Sequence, residues 1–203
     1  MDSMQKLNEA SLRVMQRAYE HRRIRLLTEA IEQAHAEGHG FSWVQHADGT
    51  IDQEGAWENT VVTVGKNVAL DAYLAGSSYT VTGPYMGLIS SVSYGVGPAA
   101  GDTMASHSGW TEAGNANAPT YSGTRKTCAW SAASSGSKAL SAALSFGITG
   151  TGTVKGCFIV YYTGAVNTID NTSGTLYSAG LFTGGDKSVV NTDTLNVSYT
   201  ASL

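Results

Sequence analysis

The apolar positions change period along the chain. From Gln5 to Glu37 they recur every three or four residues, with no Gly or Pro among them and with Ala, Leu, Arg, Glu and Gln filling the rest. That pattern predicts an amphipathic helix, and Gly38 and Gly40 read as its stop. At 1.5 Å rise per residue the helix would span roughly 50 Å. Its stripe has two phases: Met4, Leu7, Val14 and Ala18, then Ile24, Leu27, Ile31 and Ala34, shifted by one residue. A strict heptad keeps its phase, so the pattern fits a helix that packs on two partners, or breaks near His21, better than a regular coiled coil.

Residues 38–58 read as a connector. Phe41, Trp43 and Trp57 flank an acidic stretch with Asp48, Asp52 and Glu54, and Ala47-Asp48-Gly49-Thr50 is a turn signal. The aromatics predict a connector that is docked. From Asn59 the period becomes two. Thr60–Val64, Tyr79–Thr82, Tyr85–Tyr94, Arg125–Ser131, Ala139–Thr149, Val154–Thr163, Thr175–Phe182, Ser188–Val190 and Thr194–Thr200 read as strands, with a short helix over Lys66–Leu74. Gly150-Thr151-Gly152 reads as a hairpin turn between two of them. Such regular glycine punctuation points to a sandwich or jelly roll rather than βα units. The expected fold is therefore mainly β: an antiparallel β-sandwich or jelly-roll-like domain over 59–203, a connector over 38–58, and a long N-terminal α-helix as an arm over 1–37.

Composition sharpens this picture. Of 203 residues 14% are charged, below the roughly 25% of an average soluble domain. With a net charge of −4, nucleic acid is not the expected partner. Six of the twelve Lys and Arg lie in residues 1–25: Lys6, Arg13, Arg17, Arg22, Arg23 and Arg25. From Asn59 onward six basic residues balance six acidic ones, giving a neutral surface rich in Ser, Thr and Gly that docks at little desolvation cost. The polar N-terminus predicts no signal peptide, and no apolar run reaches membrane-spanning length. Cys128 and Cys157 sit in apolar, strand-like runs and are expected as buried free thiols.

Candidate chemistry is sparse. Residues 101–112 bring Asp102, Ser106, His107 and Glu112 close in sequence, but no G-x-S-x-G elbow accompanies them. The expectation is an ordered loop pinned by a buried Trp110, with Asp102 and Ser106 bonding local backbone. Ser135-Gly136-Ser137-Lys138 fits S-x-x-K without its companion motifs, and Gly180–Ser188 misses the P-loop spacing by one residue, Asp186. His35 and His39 straddle a glycine and lack a third ligand. No enzyme activity, cofactor or metal is expected. The arginine run is read as a protein-docking face, with Leu7, Arg13, Val14, Arg17, Arg22, Arg23, Ile24, Arg25, Leu27 and Ile31 as the anchor.

Several segments together resemble a known family. They are Gly87-Leu88-Ile89; Asp102-Thr103-Met104-Ala105-Ser106-His107 leading to Gly109-Trp110-Thr111-Glu112; Tyr121 with Arg125; Ile148 through Phe158; Gly174 through Phe182; and Asp193 through Thr200. Over about residues 60–203 the chain resembles small virion-associated structural proteins of tailed bacteriophages. Thr192 stands where that family usually carries a glycine. The resemblance implies a structural role in the virion, assembled in the bacterial host cytoplasm. The expected function is a capsid decoration or cement protein clamping head subunits. A tail, head–tail adaptor-associated or fibre protein is the alternative, and a host-surface carbohydrate-binding module using Trp43, Trp57, Trp110 or Trp130 is the second. Expected partners are capsid, portal or tail subunits and further copies of the chain, with no membrane and no specific nucleic acid.

Overall fold

The computed structural model describes residues 37–74 and 82–202. All ten residues of the expected anchor lie outside the described residues, as does the expected helix apart from its last position, Glu37, which instead begins a β-strand. What the model describes is mainly β and antiparallel. The strands are β1 (Glu37–Gln45), β2 (Ile51–Val61), β3 (Tyr85–Ser90), β4 (Lys126–Thr127), β5 (Ser137–Ala139), β6 (Leu144–Gly147), β7 (Gly152–Tyr161), β8 (Thr175–Leu181), β9 (Lys187–Val189), β10 (Thr194–Val197) and β11 (Thr200–Ser202). One helix, α1 (Thr63–Leu74), follows β2, three residues earlier than its apolar pattern suggested.

All eleven strands belong to one sheet with the order β4-β3-β7-β8-β2-β1-β10-β6. Two packed sheets were expected, and the difference lies in β1. It pairs with β2 along one edge and with β10 and β11 along the other, joining two half-sheets into a continuous surface. The ends of that surface nearly meet. Ser122 N–H donates to Gly147 O at 2.8 Å, Thr149 N–H donates to Thr120 O at 2.9 Å, and Tyr121 bridges Ile148. The result is a nearly closed barrel. Residues 149–150 thus bond to Thr120 rather than forming a hairpin, and β6 and β7 pair with different neighbours.

The segment read as a connector is the β1–β2 hairpin. Its turn is as expected: Gly49 takes φ 87°, and Asp48 Oδ1 accepts from Thr50 N–H at 2.9 Å and from its hydroxyl at 2.7 Å. Gly38 and Gly40, read as a helix stop, instead line the inner face of β1. A Cβ on Gly38 would lie 2.0 Å from Tyr199 Oη, and one on Gly40 2.6 Å from the Trp57 ring. These two glycines let the rings pack against bare backbone.

Period-two alternation then sorts the core into two layers. Inside the barrel lie Val44, Trp57, Met86, Leu88, Phe146, Cys157, Ile159, Leu195 and Tyr199, all buried. On the outer flank of β3, β7 and β8 a second cluster forms from Ile89, Met104, Trp110, Phe158, Val160 and Leu176. β7 is covered on both faces, which explains its unbroken run Cys157-Phe158-Ile159-Val160.

Candidate functional site

The outer cluster is roofed by loop 91–118. Its centre is Trp110, 2% exposed, with the ring centroid 5.3 Å from that of Phe158. Asp102 Oδ2 accepts from Trp110 Nε1–H at 2.8 Å and from Ala99 N–H at 3.0 Å. The hydroxyl that caps the next turn belongs to Thr103, which accepts from Ser106 N–H at 3.0 Å, and not to Ser106 as the sequence suggested. His107 stacks on Trp110 at 4.0 Å, and its Nδ1 lies 3.0 Å from Trp110 O. A carbonyl only accepts, so Nδ1 carries the hydrogen, and in the neutral ring Nε2 is a bare acceptor.

Below this loop lies a buried ion pair. Arg125, 1% exposed, donates from Nε to Glu112 Oε1 at 2.8 Å and from Nη2 to Glu112 Oε2 at 2.6 Å. It also donates to Asn171 O at 2.6 Å and Val166 O at 3.2 Å, while Asp170 N–H donates to Glu112 Oε2 at 2.8 Å. Burial pushes the Glu112 carboxyl above its ordinary range, against the opposing pull of the Arg125 guanidinium and the Asp170 amide. One residue pair thereby fastens loops 112–125 and 164–174 to each other. Gly87 makes room for it: a Cβ there would lie 2.4 Å from the Phe158 ring and 2.9 Å from Glu112 Oε1.

Between those loops opens a cleft of about 170 Å³. Trp110, Phe158 and Met104 supply apolar wall, and His107, Asn117, Asp170 and Thr172 supply polar groups. No Lys or Arg lines it. Asp170 adopts φ 63°, a left-handed conformation that a non-glycine residue holds only when its surroundings fix it. Here its own N–H on Glu112 and its Oδ2, which accepts from Ala116 N–H at 3.3 Å, provide the constraint.

The second feature is the outward face of the β1–β2 hairpin. Phe41, 41% exposed, and half-buried Trp43 stand there with ring centroids 6.1 Å apart, and Ile51 is 52% exposed. Glu37, Asp48, Asp52, Glu54 and Glu58 are all exposed on the same hairpin, which holds no Lys or Arg. At its tip, His46 Nδ1 lies 3.0 Å from Asp193 Oδ1 and Nε2 lies 3.0 Å from Asp52 Oδ2. These contacts raise the His46 pKa, with the bond to Asp52 the largest cause. Of the four tryptophans weighed for sugar contact, Trp57 and Trp110 are fully buried, whereas Trp43 and Trp130 are half-exposed.

Sequence reasoning missed the ion pair and the cleft. The available signal was that Glu112 and Arg125 are rare charges inside a nearly neutral region. Among the described residues no helix is long and apolar enough to cross a membrane, and no group of three or more His, Cys, Asp or Glu is placed to hold a metal ion.

Together these features define a mainly antiparallel β protein with a loop-covered cleft on its flank and an acidic, aromatic sheet face. Comparison with protein-family models, curated proteins and solved structures gave no match.

Proposed function

We propose that the chain is a structural protein of a tailed-bacteriophage particle, acting by docking on other virion proteins, with head decoration the favoured position. The observation that carries this reading is the β1–β2 hairpin, where Phe41 and Ile51 stand exposed beside half-buried Trp43 on an element that also carries five exposed carboxylates, against an otherwise Ser/Thr-rich surface. Aromatic anchors within a polar rim are how protein interfaces concentrate binding energy. The residues behind the phage-family resemblance add support, because they are scaffold elements: Trp110 is core, Glu112 and Arg125 staple two loops, and Gly87 admits the staple. The half-sheets β3–β7–β8 and β10–β6 share one core, and we read them as the facing layers of a jelly-roll-like clamp. The arginine-bearing segment 13–25 would supply a second attachment.

Particles produced without the chain and then incubated with purified protein test the proposal. The full chain should bind, whereas the Phe41→Ser/Trp43→Ser variant and a chain lacking residues 1–36 should bind at reduced occupancy. Equal occupancy of all three would overturn the docking assignment.

A further inference from the structure

We infer that the outer face of the β1–β2 hairpin receives the arginine-bearing segment 13–25 of a second copy of this chain. The inference rests on the reading of that face as a protein-docking surface, and it names the occupant.

The first ground is the charge of the face. The strand register sets His39 opposite Glu58 and Phe41 opposite Ala56, and period-two alternation adds Glu37, Trp43 and Glu54 to the same side. Two of the hairpin's carboxylates are engaged at its tip, Asp48 with Thr50 and Asp52 with His46. Glu37, Glu54 and Glu58 are exposed, and none of them pairs with a cation among the described residues. Uncompensated carboxylates beside two aromatic rings suit a cation that bonds carboxylates and also lies flat on a ring, which is the chemistry of arginine.

The second ground is where the chain keeps its cations. On the barrel, Arg125 and Lys187 are 1% exposed, and Lys155 pairs with Asp186 at 2.8 Å. Lys66, Lys126 and Lys138 stand on separate elements, α1, β4 and β5. None of these makes a basic patch to match the hairpin. Residues 13–25 do: Arg13, Arg17, Arg22, Arg23 and Arg25 stand there against a single acid, Glu20, with Val14 and Ile24 between them to meet Phe41 and Trp43.

The third ground selects a neighbour over the chain itself. Residues 26–36 hold no Gly, Pro, Asn or Asp, the residues through which a chain most readily reverses. The sequence therefore favours a second copy's hairpin over its own. Each copy offers both a segment and a face, so two copies can exchange segments and close a two-fold pair.

Sedimentation velocity of the full chain and two charge-reversed variants tests this. Arg17→Glu/Arg22→Glu/Arg25→Glu keeps the face and reverses the segment, and Glu54→Lys/Glu58→Lys does the opposite. The parent should self-associate, and raising NaCl from about 0.05 M to about 0.5 M should weaken association roughly tenfold, because salt screens exposed charges. Each variant alone should associate at least roughly tenfold more weakly than the parent. An equal mixture of the two should associate again, since each then supplies the half that the other lacks. The inference is overturned if the parent is monomeric at about 0.1 mM, if either variant associates like the parent, or if the mixed variants stay apart. A monomeric parent that still needs Phe41 and Trp43 for particle attachment would sink this inference and leave the docking proposal standing. Association that follows the charge-reversal pattern, in a chain that never attaches to particles, would do the reverse.

Discussion

Replacing Arg125 by Met tests the staple at the heart of the loop region. Arg125 makes two bonds to Glu112 and one each to Val166 O and Asn171 O. Arg125→Met leaves a carboxylate that is 6% exposed with a single remaining donor, the Asp170 amide. Removing one partner of a buried ion pair costs about 3–5 kcal/mol, a large share of the roughly 5–15 kcal/mol that holds a domain together. For a chain of this size 4 kcal/mol corresponds to about 8–16 °C in melting temperature. The stranded Glu112 has one escape, which is to bind a proton. Its folded-state pKa then lies above the unfolded value near 4.3, so stability falls as pH rises between the two, and the variant should lose more at pH 8 than at pH 5. Urea denaturation at both pH values measures this. Glu112→Leu/Arg125→Met removes both charges and should recover about 2 kcal/mol relative to the sum of the single changes. An Arg125→Met loss under 1 kcal/mol, or strict additivity in the cycle, would refute the reasoning.

Four further outcomes follow from other parts of the molecule. Thr192 holds φ 79° in the turn before β10, where a β-branched residue is strained; Thr192→Gly should raise stability by about 1 kcal/mol in urea, and a loss would show that the turn favours Thr. The His46 pKa is raised from 6.5 by its two aspartates, so its contribution is fully present below pH 6.5 and lost as pH rises through the higher folded value; NMR titration should place it above 6.5, and His46→Gln should flatten the stability profile over that window. Burial pushes the Cys128 thiol up to about 12 and the Cys157 thiol well above its usual range; a thiol reagent at pH 8 should modify neither until the protein is unfolded, and modification of the native protein would show that the barrel opens. A fragment of residues 37–203 should melt cooperatively, whereas 59–203 should not, because it lacks β1 and Trp57; a cooperative melt of the shorter fragment would restore the boundary that the sequence suggested.

β3, β7, β8 and β10 were legible in the sequence as apolar, β-branched runs between glycine-marked breaks. By contrast, the run read over Arg125–Ser131 is only the two-residue β4, the run read over Ala139–Thr149 divides between the end of β5 and β6, and Ser137 and Lys138, expected in a turn, lie in β5. The Asp48-Gly49 turn and the Trp110-pinned loop were legible for local reasons, namely turn chemistry and one large ring. β1 and β2 were not. β1 turns glycines and Ser42 inward and Phe41 and Trp43 outward, the reverse of ordinary alternation. β2 has a register shift near Gln53, which takes φ 51°, and inside the barrel it offers only Trp57 and Val61 as large apolar groups. Such strands are specified by their neighbours, since Tyr199 and Trp57 need bare backbone beside them. The Glu112–Arg125 pair was hidden for a related reason: nothing local marks two charges thirteen residues apart as partners until the loops have folded.

The central claim is that this chain belongs to a phage particle and is held there through its docking surfaces. Quantitative mass spectrometry of density-purified particles from the producing host tests it most directly. A fixed ratio of the chain to the major capsid protein, unchanged through a second gradient and a high-salt wash, is the expected result. Loss of the chain from particles on purification, with recovery in the soluble fraction, would contradict it.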